Sequence, residues 1–212
     1  MGRTLAPSKG RSYRGIDPES RKQKRRSALI EAGLELFGTR GYRASSVKMV
    51  CEQVGLTERY FYESFANRED LLGSVFDSLV RDLDRRLRSV VEDRRYGHRK
   101  RQQRMLEAFF RFIRDDRRRA RVMLFEILGV SPDIDRRYQS AVRNLAELFE
   151  HPNLGLLPED SSASEGRGVM SIGLVGAIVQ IAIQWVLEDF RTPTTEVERS
   201  ALKIYTAVAS AH

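Results

Sequence analysis

Apolar side chains recur along most of this chain at the spacing of one helix face. Leu29, Ala32, Gly33, Leu36 and Phe37 stand at i, i+3, i+4, i+7 and i+8, the stripe that a surface helix turns toward a core. Arg21, Lys22, Lys24, Arg25 and Arg26 lead into it, so a helix is predicted from residue 21, with Gly38 and Gly41 as its stop. Positive charge at a helix start opposes the macrodipole, and an external anion would account for it. Val47, Val50, Cys51 and Val54 repeat the pattern in a shorter segment that Ser45 or Ser46 can cap. Gly55 then supplies a turn, Leu56 an apolar plug and Thr57 a hydroxyl cap for a third helix over 58–65. Two short helices joined so tightly have the pattern of a helix-turn-helix.

On that third helix Phe61 and Phe65 are four apart and face inward, whereas Thr57, Glu58, Arg59, Tyr60, Tyr62 and Ser64 form the outward face. Such a face suits a DNA major groove. Arg59 is placed to bond guanine, Glu58 to accept from cytosine N4, and Tyr60 to touch a thymine methyl or a phosphate. A plain solvated helix is the competing reading, and the adjoining turn and basic helix weigh against it. Cys51, inside the apolar stripe, is expected to be a packing residue and not a reactive thiol.

Downstream, Glu69 and Asp70 favour a helix start. Leu71, Leu72, Val75, Phe76, Leu79, Val80, Leu83, Leu87, Val90 and Val91 continue from there as one long amphipathic helix. Further helical patterns cover 99–115, 117–129, 132–150, 165–190 and 194–210, with no convincing strand pattern, so the fold class is all-α. Gly129 to Pro132 and the loop "HPNLGLLPEDSSASEG" separate them. The stretch "VMSIGLVGAIVQIAIQWVL", 169–187, is apolar over a membrane-spanning length. Ser171, Gln180 and Gln184 interrupt it and no second span follows, so no membrane is expected. A helix apolar all round is otherwise buried on several sides, one face in its own subunit and another against a second copy. Gly173, Gly176 and Ala177 permit close approach, and Ile204 and Val208 belong to the apolar stripe of the last helix.

The 212 residues are 41% hydrophobic and 31% charged, a globular composition. A single cysteine and the scattered His98, His151 and His212 offer no disulfide, metal or catalytic set, and no phosphate loop is present. Neither enzyme nor cofactor is expected. No apolar run follows the basic N-terminus, which points to the cytoplasm. Charge sharpens the picture through its position. Up to Lys48 there are 12 Lys and Arg against 4 Asp and Glu, and beyond it 25 of each sign, so the net +8 sits in the first quarter. That is a polyanion-binding end on a balanced body. Because 31 of the 37 basic residues are arginine, a bias that genome composition also produces, the uneven distribution is the signal and the arginine content is not. Residues 1–20 read as a flexible basic arm, either touching DNA or idle. The run "RDDRRRAR", 114–121, reads as a solvated helix junction.

The stretch "GYRASSVKMVCEQVGLTERYFYESFANREDLL", 41–72, resembles the DNA-binding domain of the TetR family of bacterial transcriptional regulators. The likeness rests on Gly41, Tyr42, Ser45, Ser46, Val50, Gly55, Leu56, Thr57, Phe61, Tyr62, Phe65, Arg68, Glu69, Leu71 and Leu72, and covers about residues 21–72. It implies that Ser46, Thr57, Tyr62 and Arg68 hold phosphates while Lys48, Glu58, Arg59 and Tyr60 face bases. Arg59 and Tyr60 replace small residues and Arg68 the usual lysine, which bears on the operator sequence and not on the docking mode. It further implies a helix-turn-helix domain over 21–67, a helical regulatory and dimerisation domain over 68–212, and a homodimer joined through the last two helices. In the body, Met105, Phe109, Phe112, Met123, Phe125, Tyr138, Met170, Gln184 and Trp185 are candidate ligand-pocket residues. The expected function is a cytoplasmic repressor that binds a palindromic operator on the nucleoid and is released by a small-molecule inducer. A DNA-bound architectural or protein-interaction factor without inducer is the alternative.

Overall fold

The computed structural model describes residues 17–155 and 167–209. Most of the expected arm and of the 151–166 loop therefore lies outside the described residues, which are helical with no strand.

Helix α1 spans Pro18–Thr39 and begins three residues earlier than the basic cluster suggested. Asp17 precedes it, Pro18 takes a first-turn position where a missing N–H costs nothing, and Glu19 lies in the first turn. The helix start is thus acidic, and the arginines sit one turn further in, so the expected dipole conflict does not arise. Gly38 is not a stop either. It lies inside α1 against the next domain, where an added Cβ would come within 2.6 Å of the Arg118 backbone. Gly41, at φ +96, makes the turn instead.

Helix α2, Val47–Val54, is capped by the Ser46 hydroxyl, which accepts from the Met49 N–H at 3.2 Å. Ser45 is buried and donates to the Gly41 carbonyl at 2.7 Å. Gly55, at φ +64, closes α2 in the left-handed region and starts the turn. Helix α3 is only Glu58–Tyr62, shorter than its pattern suggested. One helical turn cannot persist alone; it is held because α3 packs on α2 and α1 with Phe61 and Phe65 buried, their ring centroids 5.6 Å apart. Cys51 is buried and packs as expected.

Helix α4, Arg68–Val91, is capped by Asn67, whose side chain accepts from the Asp70 N–H at 2.8 Å. Its N-terminal third packs on α1 and the rest enters the body. There it meets α5 (His98–Arg114), a π-helical turn at Val122–Glu126, and α7 (Pro132–Phe149), while the short α6 (Arg117–Arg121) packs on α1 and α5. Helices α8 (Arg167–Leu187) and α9 (Thr194–Ala209) pack together on the far side. The predicted loop after α7 contains a 3-10 turn, Pro152–Leu154. Buried Arg101 and Gln102 fasten it by donating to the carbonyls of Asn153 (3.0 Å) and Leu154 (2.6 Å).

Candidate DNA-binding surface and ligand cavity

Thr57, Glu58, Arg59, Tyr60 and Tyr62 all project to solvent from the turn and α3, Tyr62 at 57% exposure. Thr57 does not act as a hydroxyl cap. Its backbone occupies the N-cap position in extended geometry, but the side chain makes no capping bond, leaving the hydroxyl on the outer surface. Tyr60 is steadied by the Arg25 guanidinium, 4.6 Å from its ring centre. Glu63 draws both Arg25 (3.6 Å) and Arg59 (3.3 Å). Exposed pairs of this kind are worth about 0–1 kcal/mol, so Arg59 gives up little on turning to another partner. Lys48 is exposed beside Glu52, Ser46 is exposed at its cap, and Ser64 is half-buried. Arg68 points inward: it donates to the Ser45 carbonyl and its guanidinium stacks 4.3 Å from the Tyr42 ring centre. Arg68 thus joins the start of α4 to the loop before α2.

Three further ties run from the helix-turn-helix to the body. The Arg118 guanidinium bonds Glu35 of α1 (2.7 Å) and Asp116 (2.8 Å). Arg121 donates to the Thr39 carbonyl at 2.6 Å and to Glu126 at 2.8 Å. Glu126 in turn accepts the Tyr42 backbone N–H at 2.7 Å. The arginine run read as solvated therefore fastens the two parts. Local spacing held no signal for this, because the Arg118 and Glu35 positions are 83 residues apart.

Behind these ties lies an apolar cavity of about 70 Å³. Helix α4 lines it with Phe76, Val80, Leu83, Asp84 and Leu87, α5 with Phe109 and Ile113, and the π turn with Met123 and Leu124. Tyr138, Ala141, Val142 and Leu145 of α7 and Val175 and Val179 of α8 close it. Of the nine expected pocket residues, Phe109, Met123 and Tyr138 line it and six do not. Met105 and Phe112 are buried elsewhere in the core, Phe112 with the guanidinia of Arg86 and Arg119 5.2 and 4.9 Å from its ring centre. Phe125 faces a groove beside Arg40 to Ala44. Trp185 stacks on Phe110 and Phe190 and donates to the Thr192 carbonyl, and Gln184 is exposed and bonded to Glu188. Met170 is half-buried near the start of α8. Helical periodicity identifies inward faces but not where two of them leave space, which is why six of these positions miss the cavity.

Helix α8 carries an uncovered apolar stripe. Val169, Ile172 and Leu187 are 76%, 42% and 65% exposed, with Gly173 and Gly176 between them and open space where their Cβ atoms would be. Ala177 and Val208 are half-buried beside it and Ile204 is exposed. The segment Gly168–Leu187 is long and apolar enough to cross a bilayer, yet only about a third of it is buried in this chain.

Residues 29–75 match the family model for bacterial regulatory proteins of the tetR family. The chain is 25% identical over 173 residues to the HTH-type transcriptional activator FasR of Mycolicibacterium smegmatis, covering 79% of this chain and 75% of that protein. It is 21% identical over 190 residues to the fatty acid metabolism regulator protein of Bacillus subtilis, covering 86% and 95%. The fold superimposes on FadR from Bacillus subtilis in complex with stearoyl-CoA with a TM-score of 0.69 at 17% identity, over 84% of this chain and 96% of that one. With the helix-turn-helix and its apolar framework in place, residues 29–75 form a DNA-binding domain of the TetR family of bacterial transcriptional regulators.

Proposed function

We propose that this regulator binds a palindromic operator as a homodimer in the bacterial cytoplasm, as a repressor, and that a molecule with a long apolar chain releases it. One observation carries the reading: the apolar cavity is walled by α4 and the π turn, the two elements that also hold the helix-turn-helix. The name of the fatty acid metabolism regulator protein and the stearoyl-CoA bound by FadR support an acyl chain as the ligand class. Filled ligand pockets measure roughly 300–1,000 Å³, so a chain has to part α4 from α7 to enter. A body shape preferred by the ligand then shifts the population of recognition-helix spacings.

In this reading residues 18–67 are the DNA-binding unit, 68–212 the regulatory and dimerisation unit, and the segment before them a basic arm. Arg59, Glu58, Lys48 and Tyr60 face bases; Ser46, Thr57, Tyr62 and Ser64 line the phosphates. Arg68 positions the module from behind. The α8 stripe with Gly173, Gly176 and Ala177, joined by Ile204 and Val208, meets its twofold copy, which sets two recognition helices against half-sites about a helical turn or more apart.

The test is selection of bound genomic fragments, then titration of the best fragment with and without palmitoyl-CoA. A palindromic site released by the acyl-CoA supports the proposal. A site bound more tightly with acyl-CoA reverses the sign of regulation, in keeping with FasR being an activator. Sequence-indifferent binding unmoved by any chain favours the architectural alternative.

A further inference from the structure

The cavity alone accounts for a chain and not for its head group. It runs along one face of α4 from Phe76 to Leu87, about 16 Å at 1.5 Å per residue. At the Phe76 end it adjoins an open groove of about 450 Å³ between α4 and α7, with Phe76, Val80, Ala141 and Asn144 lining both. The groove is polar: Asp77 of α4 and Asp133, Arg136, Arg137 and Ser140 of α7 complete it. The two helices run alongside each other here, with Ser131 bonded to Glu69 at 2.6 Å and the Phe76 and Tyr138 rings 6.4 Å apart.

Two ion pairs lie in this groove, and they differ in kind. Arg136 pairs with Asp133 three residues earlier on its own helix, which ties nothing together. Arg137 pairs with Asp77 across the seam, 60 positions away. Its side chain reaches over Gly73, where an added Cβ would meet Arg137 atoms at 3.0–3.2 Å. The arginine thus spans the groove that adjoins the cavity and ties α7 to the part of α4 next to the helix-turn-helix. Arg137 and Asp77 are 42% and 34% exposed, so the pair is cheap to exchange. A guanidinium is also the side chain best matched to carboxylate and phosphate oxygens.

The geometry points to Arg137 as the head-group anchor, with Asp77 as the internal anion that occupies it until a ligand arrives. The inference rests on the cavity reading above and deepens it. The ligand is an apolar chain ending in an anionic group, a carboxylate or a phosphate, that lies in the groove while the chain fills the cavity. Exchange of Asp77 for the ligand's anion severs the tie between α7 and α4, so a neutral chain of equal length fills the cavity without releasing that tie.

The test uses the full chain with three probes: palmitate, palmitoyl-CoA and hexadecanol, their binding followed by displacement of a fluorescent fatty-acid analogue and their effect by release from the selected DNA fragment. R137Q is expected to weaken the anionic probes by about five- to tenfold, the loss of one charge-assisted contact, and to leave hexadecanol unchanged. D77N, which removes the competitor, is expected to tighten the same anionic probes by up to about fivefold. G73A, which displaces the guanidinium without removing it, should resemble R137Q in direction and guards against a folding defect in that variant. Dependence on Arg137 for palmitate identifies the carboxylate as the group read; dependence for palmitoyl-CoA alone identifies the phosphate. Equal loss of hexadecanol in R137Q, or no loss of any probe, overturns the assignment while the cavity reading stands. Failure of the unsubstituted protein to bind any of the three removes the cavity reading and this inference with it.

Discussion

The Glu126 carboxylate accepts the backbone N–H of Tyr42 at 2.7 Å, across 84 positions of sequence, from a π-helical turn whose Met123 and Leu124 line the cavity. A π turn widens the helix by one residue and recurs at functional sites; here one face of it looks into the cavity and the other grips the loop before α2. Allosteric couplings typically amount to 1–3 kcal/mol. Glu126→Ala is therefore expected to leave ligand binding intact and to shrink the ratio of DNA affinities with and without palmitoyl-CoA, by about 0.5–2 kcal/mol. Fluorescence anisotropy of a labelled operator measures that ratio. An unchanged ratio would move the coupling to α4 alone.

Arg59 stands exposed on α3, paired with the solvent-facing Glu63 at 3.3 Å. Arg59→Ala should cost about 1–3 kcal/mol against one base pair of the operator and relax the choice at that position. Tyr62→Phe, at a phosphate, should weaken all sequences alike. Binding measured on a panel of single-base operator variants separates the two patterns.

Two glycines make opposite predictions. At Gly38 an added Cβ would lie 2.4 Å from the Arg118 Cβ, so Gly38→Ala should destabilise the folded chain by about 1–3 kcal/mol of overpacking, seen as a lower Tm. At Gly176 the subunit leaves open space, so Gly176→Arg should fold normally yet run as a monomer in light scattering and bind operator weakly. A dimer that survives Gly176→Arg would place the interface elsewhere.

Asp116 caps α6 through the Arg118 backbone N–H and receives the Arg118 side chain, and that side-chain bond, opposed by partial burial, holds its carboxyl below the usual range. A depressed folded pKa means the stabilisation is present above the ordinary carboxylate range and is lost as pH falls through the depressed value. Hydrogen bonds to charged groups contribute about 1.5–3 kcal/mol. Asp116→Asn should thus lower the urea midpoint at pH 7, and the gap to the unsubstituted protein should narrow as pH falls below the ordinary carboxylate range.

The Tyr205 hydroxyl is buried with no hydrogen-bond partner among the described residues, and burial pushes its pKa up. Leaving such a group unsatisfied costs about 1–3 kcal/mol. Tyr205→Phe is expected to be neutral or stabilising by up to that amount in thermal melts, and a clear loss would mean that the hydroxyl is bonded in solution.

Everything governed by local periodicity was legible in the residues alone. The helix-turn-helix, the split of Phe61 and Phe65 from Tyr60 and Tyr62, the long α4 and the apolar α8 all follow from spacings of three and four, because side chains that close in sequence share a face whatever the fold around them. Helix starts were harder where a first-turn proline set the start ahead of a charge cluster, as Pro18 did ahead of Arg21. Only the tertiary structure decided which inward faces leave a gap. Phe109 and Phe112 are both buried on α5, yet one lines the cavity and the other packs against the guanidinia of Arg86 and Arg119. The ties that join cavity to DNA-binding module, Arg118 to Glu35, Glu126 to Tyr42 and Arg137 to Asp77, bridge 60 to 84 positions. No spacing rule reaches that far, since such partners meet only when whole helices have packed.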